Sequence, residues 1–468
     1  MTMYPIVFSV LMLQSMPSVL PDSRKLSNPE RVAMANRLAD SGSGSNAADL
    51  YRAAVAAAKY PFEALEREAA ATLPSPAGWL DANEYALTLR FDWPADQVKL
   101  IRHWLAINGE ALETIRKAVE CERCFFPFKA DCPFDTSGIE SLSRLRRLAK
   151  LMAASAALHA HEGKWDAAYA DNNIILKIAA HARQTPSAIG RMVGNAIERM
   201  GLQQMAVLLE KHPSATLHEL STAIVKAGTR GASDEAIDWV ESAYQWDLID
   251  ATHAWARDEH ACPGMSELVG LFFSADENWR EIAKLLGPTS QPFKSVEEFK
   301  AAVRATTPAQ SGAVVEQMNK RYAKWSELPL HEALKLVPEL RKDTAELTTR
   351  DPIWSLWGNS TAFPVGKPTI QRQEHEMARR AALLVIELHE MRARTSRLPR
   401  RLEEVSQTAG SLTLDVCSGT PLRYVPSADS ASFKLYSVGD DQHDDGGDPT
   451  KDIVFWPTVR PEFESPNR

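Results

Sequence analysis

Amphipathic helical patterns follow one another along most of this chain, and they constrain its fold more than any other feature of the sequence. In the clearest of them, Leu142, Leu145 and Leu148 recur at the spacing of one helix face. Arg144 and Arg147 fall on the opposite face, which is therefore solvated. Before about residue 400 no segment alternates between apolar and polar residues as a half-buried strand does. The sequence predicts a mainly α-helical fold.

The other helical patterns are separated by turns that contain proline or glycine. One pattern begins at Glu30 and ends at a flexible turn at residues 41–45, Ser-Gly-Ser-Gly-Ser. The further predicted helices cover residues 46–59, 82–89, 96–119, 187–211, 216–227, 234–255, 267–286, 295–305, 310–324 and 330–347. Within one of them, Gly190 and Gly194 form a small-x₃-small contact, which in a soluble helix is typical of core packing.

A glycine turn at Gly163 joins two helical patterns, the second of which carries Ile174 and Ile178 on one face. This arrangement predicts an antiparallel helix pair with the spacing of a tetratricopeptide unit. No second copy follows at the period of about 34 residues that such repeats have, and a solenoid needs three or more. We therefore expect a helical-hairpin, tetratricopeptide-like body without a regular repeat array.

The chain has 468 residues, and single cores rarely grow beyond about 250–300 residues, so two or three units are expected. A connector rich in Pro, Gly, Ser, Thr and Trp at residues 351–368 is the predicted boundary. It separates a helical body, residues 23–350, from an α+β domain at residues 369–460, with a short tail at residues 461–468.

Residues 1–22 are apolar from Tyr4 to Leu13 but lack the basic residues and cleavage site of a secretory signal. Their apolar run is shorter than the roughly 20 residues that cross a bilayer. Two interpretations stay open: a signal or anchor segment, or a buried or frayed N-terminus. The net charge of -8 argues against nucleic acid or an anionic membrane as the main partner. We expect other proteins as partners, with membrane contact only through the N-terminus.

The C-terminal region begins with one long predicted helix, residues 369–394, which is apolar almost all round from Ala381 to Ile386 and is expected to form a buried spine. Short β-like runs follow at residues 412–414, 422–425, 433–437 and 453–456. His375 and His389 lie on the spine about 21 Å apart at 1.5 Å per residue, so they cannot share one ion. They are expected at the surface.

An acidic loop with six aspartates in thirteen residues follows the third β-like run, and Gly446 and Gly447 supply its turn freedom. Hard cations take about six to eight oxygen ligands, so the loop is predicted to hold a structural Ca²⁺ ion. An EF-hand is excluded because His443 occupies its third position and a strand follows. The alternative is a solvated acidic turn. The candidate ligands are Asp440, Asp441, Asp444, Asp445, Asp448 and Asp452.

Three motifs give this region a likeness to a known family. Residues 397–405, Arg-Leu-Pro-Arg-Arg-Leu-Glu-Glu-Val, follow the spine, residues 415–424 start with Asp-Val-Cys-Ser-Gly, and residues 435–441 lead into the acidic loop. In this order the region resembles the globular head of type II secretion pseudopilins and the tails of uncharacterised planctomycetal envelope proteins. Residues 121–209 are similar to the same planctomycetal proteins. The resemblance implies calcium binding by the acidic loop and a place in the cell envelope. Cys417 departs from it by replacing the usual ring residue.

Other constellations are weaker. Cys121, Cys124 and Cys132 form Cys-x₂-Cys-x₇-Cys, for which a zinc site, a disulfide and unpaired packed cysteines all stay open. Nucleophile elbows, phosphate loops and dinucleotide fingerprints are absent from the sequence.

The leading interpretation is a noncatalytic, envelope-associated helical scaffold or interaction protein with a calcium-stabilised C-terminal domain. One alternative is a hydrolase-type enzyme in the helical body that uses side chains such as Glu162, His253 and His260. The other is a cytoplasmic scaffold.

Overall fold

A computed structural model describes residues 20–40, 44–59, 84–130, 137–213, 217–273, 293–348, 350–357, 367–405, 412–427 and 432–459. The protein is mainly helical with a small antiparallel sheet near its C-terminus, as predicted. Residues 1–19, Cys132, the middle of the connector and residues 461–468 lie outside the described residues. In the part that is described, every helix is too short or too polar to cross a membrane.

The helical body extends through α16, and α17 is the predicted spine. The helices are α1 (Asn28–Ala39), α2 (Ala48–Ala57), α3 (Glu84–Leu89), α4 (Ala95–Ile107), α5 (Gly109–Ala118), α6 (Ser137–His161), α7 (Trp165–Ala182), α8 (Ala188–Lys211), α9 (Leu217–Thr229), α10 (Asp234–Arg257), α11 (Pro263–Phe273), α12 (Val296–Arg304), α13 (Pro308–Ser326), α14 (Leu330–Ala333), α15 (Val337–Thr348), α16 (Pro352–Trp357) and α17 (Lys367–Thr395).

Helices α6, α7 and α8 form the centre of the body, where α7 packs along both of its neighbours. The turn between α6 and α7 contains Gly163 with a φ of +74°, a left-handed conformation that favours glycine. On α8, a Cβ at Gly194 would lie 2.8 Å from the carbonyl oxygen of Ala179, and one at Gly201 would lie 2.9 Å from Leu176. Small residues therefore let α8 approach α7 closely, which confirms the predicted helix contact.

Two predicted helices are interrupted. The helix expected at residues 96–119 breaks at Asn108 into α4 and α5, because the buried Asn108 amide donates to the Trp104 carbonyl and accepts from the Lys59 N–H. The helix expected at residues 330–347 is divided into α14, a 3₁₀ turn at Leu334–Leu336, and α15. Pro338 lacks the N–H that a continuous helix would need at that point.

The C-terminal sheet has the order β1 (Arg423–Pro426), β2 (Phe433–Ser437) and β3 (Ile453–Trp456), with both pairs antiparallel. These are three of the four predicted β-like runs. The remaining predicted run, residues 412–414, is not a strand, because Leu414 forms only an isolated bridge with Pro421.

The sheet packs on the spine helix α17, and one hydrophobic core joins both to the body. Phe433 and Trp456 of the sheet belong to the same buried cluster as Leu384 of α17 and Leu176 and Leu208 of the body. The predicted connector thus lies between segments of the chain that share a core. The cleft beside this junction holds the site described below.

The half-buried carboxyl group of Glu241 gives a test of the packing of α10 against α8. The Glu241 carboxylate accepts a hydrogen bond of 2.7 Å from the Ala188 N–H, and burial together with the nearby Asp238 raises the pKa of Glu241 to about 7. The pKa of an unfolded Glu is about 4.3. The folded chain therefore holds an extra proton between these values, and the stability that this proton contributes is lost as the pH rises from about 4.3 to about 7.

We compare the free energy of unfolding of the Glu241→Gln variant with that of the unmodified chain. This difference should shift in favour of the variant by about 1–2 kcal/mol as the pH rises from 5 to 8, after allowance for the partial exposure of the carboxyl group. The glutamine oxygen can still accept from Ala188 but cannot ionise. Urea denaturation at both pH values measures the effect. Glu219→Gln, at an exposed position of α9, is the control, and its difference in stability from the unmodified chain should be the same at both pH values. If the stability difference between Glu241→Gln and the unmodified chain were the same at pH 5 and pH 8, the result would contradict the burial of this carboxyl group.

Candidate anion-binding site

The aspartates of the acidic loop have donors of their own within the C-terminal domain. Asp444 accepts hydrogen bonds from Arg423 and Tyr436, both of 2.9 Å. Asp445 forms an ion pair with Lys451 at 2.8 Å. These bonds hold the loop against β1 and β2.

The other aspartates are bonded mainly inside the loop. Asp441 and Asp448 each accept the backbone N–H of the residue two positions on, and Asp452 accepts the N–H groups of Gly447 and Asp448. Asp440 lies 4.0 Å from the thiol of Cys417. The six carboxylates are therefore distributed around the loop.

Two oxygens of the acidic loop are buried without a hydrogen-bond donor: Oδ2 of Asp445 and Oδ1 of Asp452. Within the described residues, no group of three or more His, Cys, Asp or Glu side chains is arranged to hold a metal ion. The predicted calcium site thus stays a prediction, and two buried carboxylate oxygens of the loop have no donor. Further ligands would come from carboxylates that now have other partners.

The side chains named for a hydrolase have separate partners. Glu162 pairs with Arg102 and Lys164 at 2.9 and 2.8 Å, and His260 is exposed. His253 is buried, and its Nε2 lies 3.3 Å from Ser311 Oγ.

The contact between His253 and Ser311 does not make a nucleophile. The hydroxyl of Ser311 donates to Asp351 at 2.7 Å, whereas a catalytic serine donates to its histidine. Ser311 is also fully buried, so a substrate has no access to it.

Two of the three cysteines of the Cys-x₂-Cys-x₇-Cys motif lie in the described residues. Cys121 and Cys124 are buried free thiols, and Cys262 is buried and disulfide-bonded.

The expectation that the two spine histidines lie at the surface was wrong. His375 is buried against the body, and the ring centre of His389 lies 4.9 Å from that of Trp456, because α17 is covered on both sides.

A cavity of about 640 Å³ lies where the body, α17 and the C-terminal domain meet. Its walls come from the turn after α7, the first turns of α8, the loop between α9 and α10, and the first half of α17. The start of α14 and the C-terminal domain form the remaining wall, which includes Leu330 and Val416. A volume of this size is typical of sites for small organic ligands.

The cavity is strongly basic although the whole chain is acidic. Among the described residues, Asp234 and Glu376 are its lining carboxylates, and Glu198 pairs with two of its arginines, Arg183 and Arg379. Six positive charges against these three negative ones leave a formal charge of +3 when the histidines are neutral. The six lining arginines are Arg183, Arg191, Arg230, Arg372, Arg379 and Arg380.

Glu198, on α8, organises this wall. It is 0% exposed, and it accepts hydrogen bonds of 2.9 Å from Nε and Nη2 of Arg379 and from Nε2 of His375. Arg183 donates to it through Nη1 and to the carbonyl oxygen of Ala227 through Nη2, at 2.6 Å. Because Gly194 has no Cβ, the Arg183 side chain can lie flat against α8.

The charges in this cluster are fixed by its surroundings. Burial alone would raise the pKa of Glu198, but the hydrogen bonds from His375 and Arg379 and the charge of Arg183 lower it far below its usual range. Burial lowers the pKa of His375, and the two arginines add to that effect. At neutral pH Glu198 is therefore ionised and His375 is neutral.

The two lining carboxylates are already paired with arginines. Glu376 accepts from Arg379 at 2.6 Å and from Arg380 at 3.1 Å. Asp234 pairs with Arg191 at 2.5 Å and lies 3.4 Å from Arg372.

Some polar groups of the cavity wall have no partner among the described residues. Nε of Arg183 is buried without a hydrogen bond, although the side chain is only 8% exposed. The side chain of the half-buried Arg230 forms neither a hydrogen bond nor an ion pair within the described part of the chain. An anion would supply the acceptors that these two arginines lack. The neutral His375 donates through Nε2, so its unpartnered Nδ1 is an acceptor and does not attract an anion.

None of the residues of this cluster was singled out from the sequence for binding. A signal existed on α8, where Glu198 lies four residues after Gly194 and three before Gly201, on the face that packs against α7. A charged residue at a core-facing helix position is rarely buried without partners. His375 and Arg379, at i and i+4 on α17, are those partners.

Glu198→Gln is expected to destabilise the protein by about 3–5 kcal/mol, because it leaves the buried Arg183 without a counter-charge and removes one of the two carboxylates that pair with Arg379. Chemical denaturation measures the change. Glu376→Gln is the matched control, since Glu376 also pairs with Arg379 but is partly exposed. Its expected cost is below about 1 kcal/mol. Similar costs for the two variants would show that the buried network does not hold α17 to the body.

Comparisons with known proteins found no matching family model, no matching curated protein and no matching solved structure.

Proposed function

We propose that this chain is a noncatalytic binding protein that holds an anionic ligand in the cavity between its helical body and its C-terminal domain. The observation that carries the proposal is the concentration of six arginines in one cleft of a chain whose net charge is -8. A basic cleft with low-dielectric walls attracts anions from solution.

The state of the polar groups favours binding over catalysis. A general base needs a free lone pair and a pKa near the working pH. Glu376 and Asp234 are neutralised by arginines, and Glu198 is fully buried. The hydrolase alternative has less support, because Glu162, His253 and His260 each lie in a different environment.

The wider role that we propose is that of an envelope scaffold built from tetratricopeptide-like helical hairpins, with other proteins as partners. The pairing of α6 with α7 around Gly163 supports the hairpin organisation. The disulfide at Cys262 supports an oxidising compartment, where such bonds persist. Cell fractionation distinguishes this location from the cytoplasmic alternative.

We also propose a structural Ca²⁺ ion in the acidic loop. Asp445 and Asp452 support it, because each has one buried oxygen without a donor and carboxylate oxygens are preferred calcium ligands. Gly446 and Gly447, with φ values of +74° and +77°, bend the chain between them.

Arg230→Gln is expected to weaken anion binding about tenfold, the loss of one charged hydrogen bond of roughly 1.5 kcal/mol. Isothermal titration of the full chain with inorganic phosphate and with phenyl phosphate measures the affinities, which should fall with added salt. Arg394→Gln, an exposed substitution at the far end of α17, is the control and should bind like the unmodified chain. Failure of both anions to bind would refute the proposed function.

For the calcium site, Asp445→Asn and Asp452→Asn are each expected to abolish or strongly weaken Ca²⁺ binding, because an amide is a poorer ligand than a carboxylate for a hard cation. Calorimetric titration measures binding, and the thermal midpoint of the unmodified chain should rise with Ca²⁺. Asp49→Asn, on the exposed face of α2, is the control. A chain that takes up no Ca²⁺ would exclude the site.

A further inference from the structure

The cavity has two chemically different walls. The arginines form one wall, and the side chains of Pro329, Leu330, Leu414 and Val416 contribute to the other. Leu414 is 40% exposed, although large apolar side chains in the described residues are mostly buried. An apolar side chain left open beside a basic cluster is typical of a ligand site.

We infer that the ligand is an amphiphilic organic anion, a small molecule whose phosphate or carboxylate group contacts Arg183 and Arg230 while its apolar part covers Leu414 and Val416. This inference rests on the proposed function and adds the chemical class of the ligand. A single molecule then contacts the body and the C-terminal domain together.

The size of the cavity supports an organic ligand. A water molecule has a share of about 30 Å³ in the liquid, so an inorganic ion would fill a small part of about 640 Å³. Such an ion would satisfy the basic wall and leave the apolar wall in water. An apolar group attached to the anion removes both surfaces from water and binds more tightly.

The apolar wall is held in place before any ligand arrives. The His331 N–H donates to the carbonyl oxygen of Val416 at 3.0 Å, and the Leu330 N–H donates to the side chain of Gln373 at 2.9 Å. Gln373 lies on α17, two residues before His375. Through α17, the apolar wall and the basic wall therefore keep a fixed spacing, which preorganises the site.

The test compares ligands that differ only in their apolar part or their charge. The full chain is titrated calorimetrically with inorganic phosphate, phenyl phosphate, acetate and phenylacetate, and with phenol as the neutral analogue. Leu414→Ser shortens the apolar wall at an exposed position, so it should not impair folding. Val425→Ser, exposed on β1, is the matched control.

We expect phenyl phosphate or phenylacetate to bind at least about tenfold more tightly than its inorganic or acetate counterpart, since several buried carbons contribute. The better of the two identifies the head group. Leu414→Ser should remove most of this advantage, whereas Arg230→Gln should weaken all the anions alike.

The two proposals fail in different ways. Equal binding of phosphate and phenyl phosphate, or no effect of Leu414→Ser, overturns the inference and leaves the proposed function intact. Phenol binding as tightly as phenyl phosphate overturns the anionic part of both. If none of the anions binds, the proposed function falls and the inference falls with it.

Discussion

Glu198 is a carboxylate with no contact with water, and its three donors come from two segments of the chain that are far apart. Burying an ionised group is costly unless each of its oxygens is hydrogen-bonded. Arg183 from the body and His375 and Arg379 from α17 meet that requirement. Because a shift of α17 along α8 would break three bonds at once, we infer that this cluster fixes the register of the spine against the body.

The position of α17 against the body also determines which side chains face the cavity. The guanidinium of Arg379 lies close enough to Gly228 that a Cβ there would be 2.9 Å from it, so the end of α9 fits directly over the spine. Arg372 and Arg380, on either side along α17, then face the same space. Because three carboxylates, Glu198, Glu376 and Asp234, stand against six arginines, the cleft keeps an excess of positive charge.

Local structure was predictable and the cluster was not, for one physical reason. The helix expected at residues 187–211 is α8, and three predicted strands are present, because amphipathic periodicity reports which face of an element is buried. Periodicity does not report what covers that face. Glu198 and His375 are 177 residues apart, and no local pattern links them. The break at Asn108 also depends on a distant partner, the N–H of Lys59.

The spine helix connects the arginine-lined cavity with the acidic loop through adjacent residues. His375 faces the body through Glu198, while its neighbour Glu374 interacts with Asp440 at the start of the acidic loop. Burial and the Asp440 charge raise the pKa of Glu374 to about 7, so near neutrality the two carboxyl groups hold a proton between them. A cation on the loop would compete for Asp440 and favour loss of that proton. Since both residues lie in one turn of α17, any movement of the spine at the loop also moves His375, which lines the arginine-lined cavity and donates to Glu198.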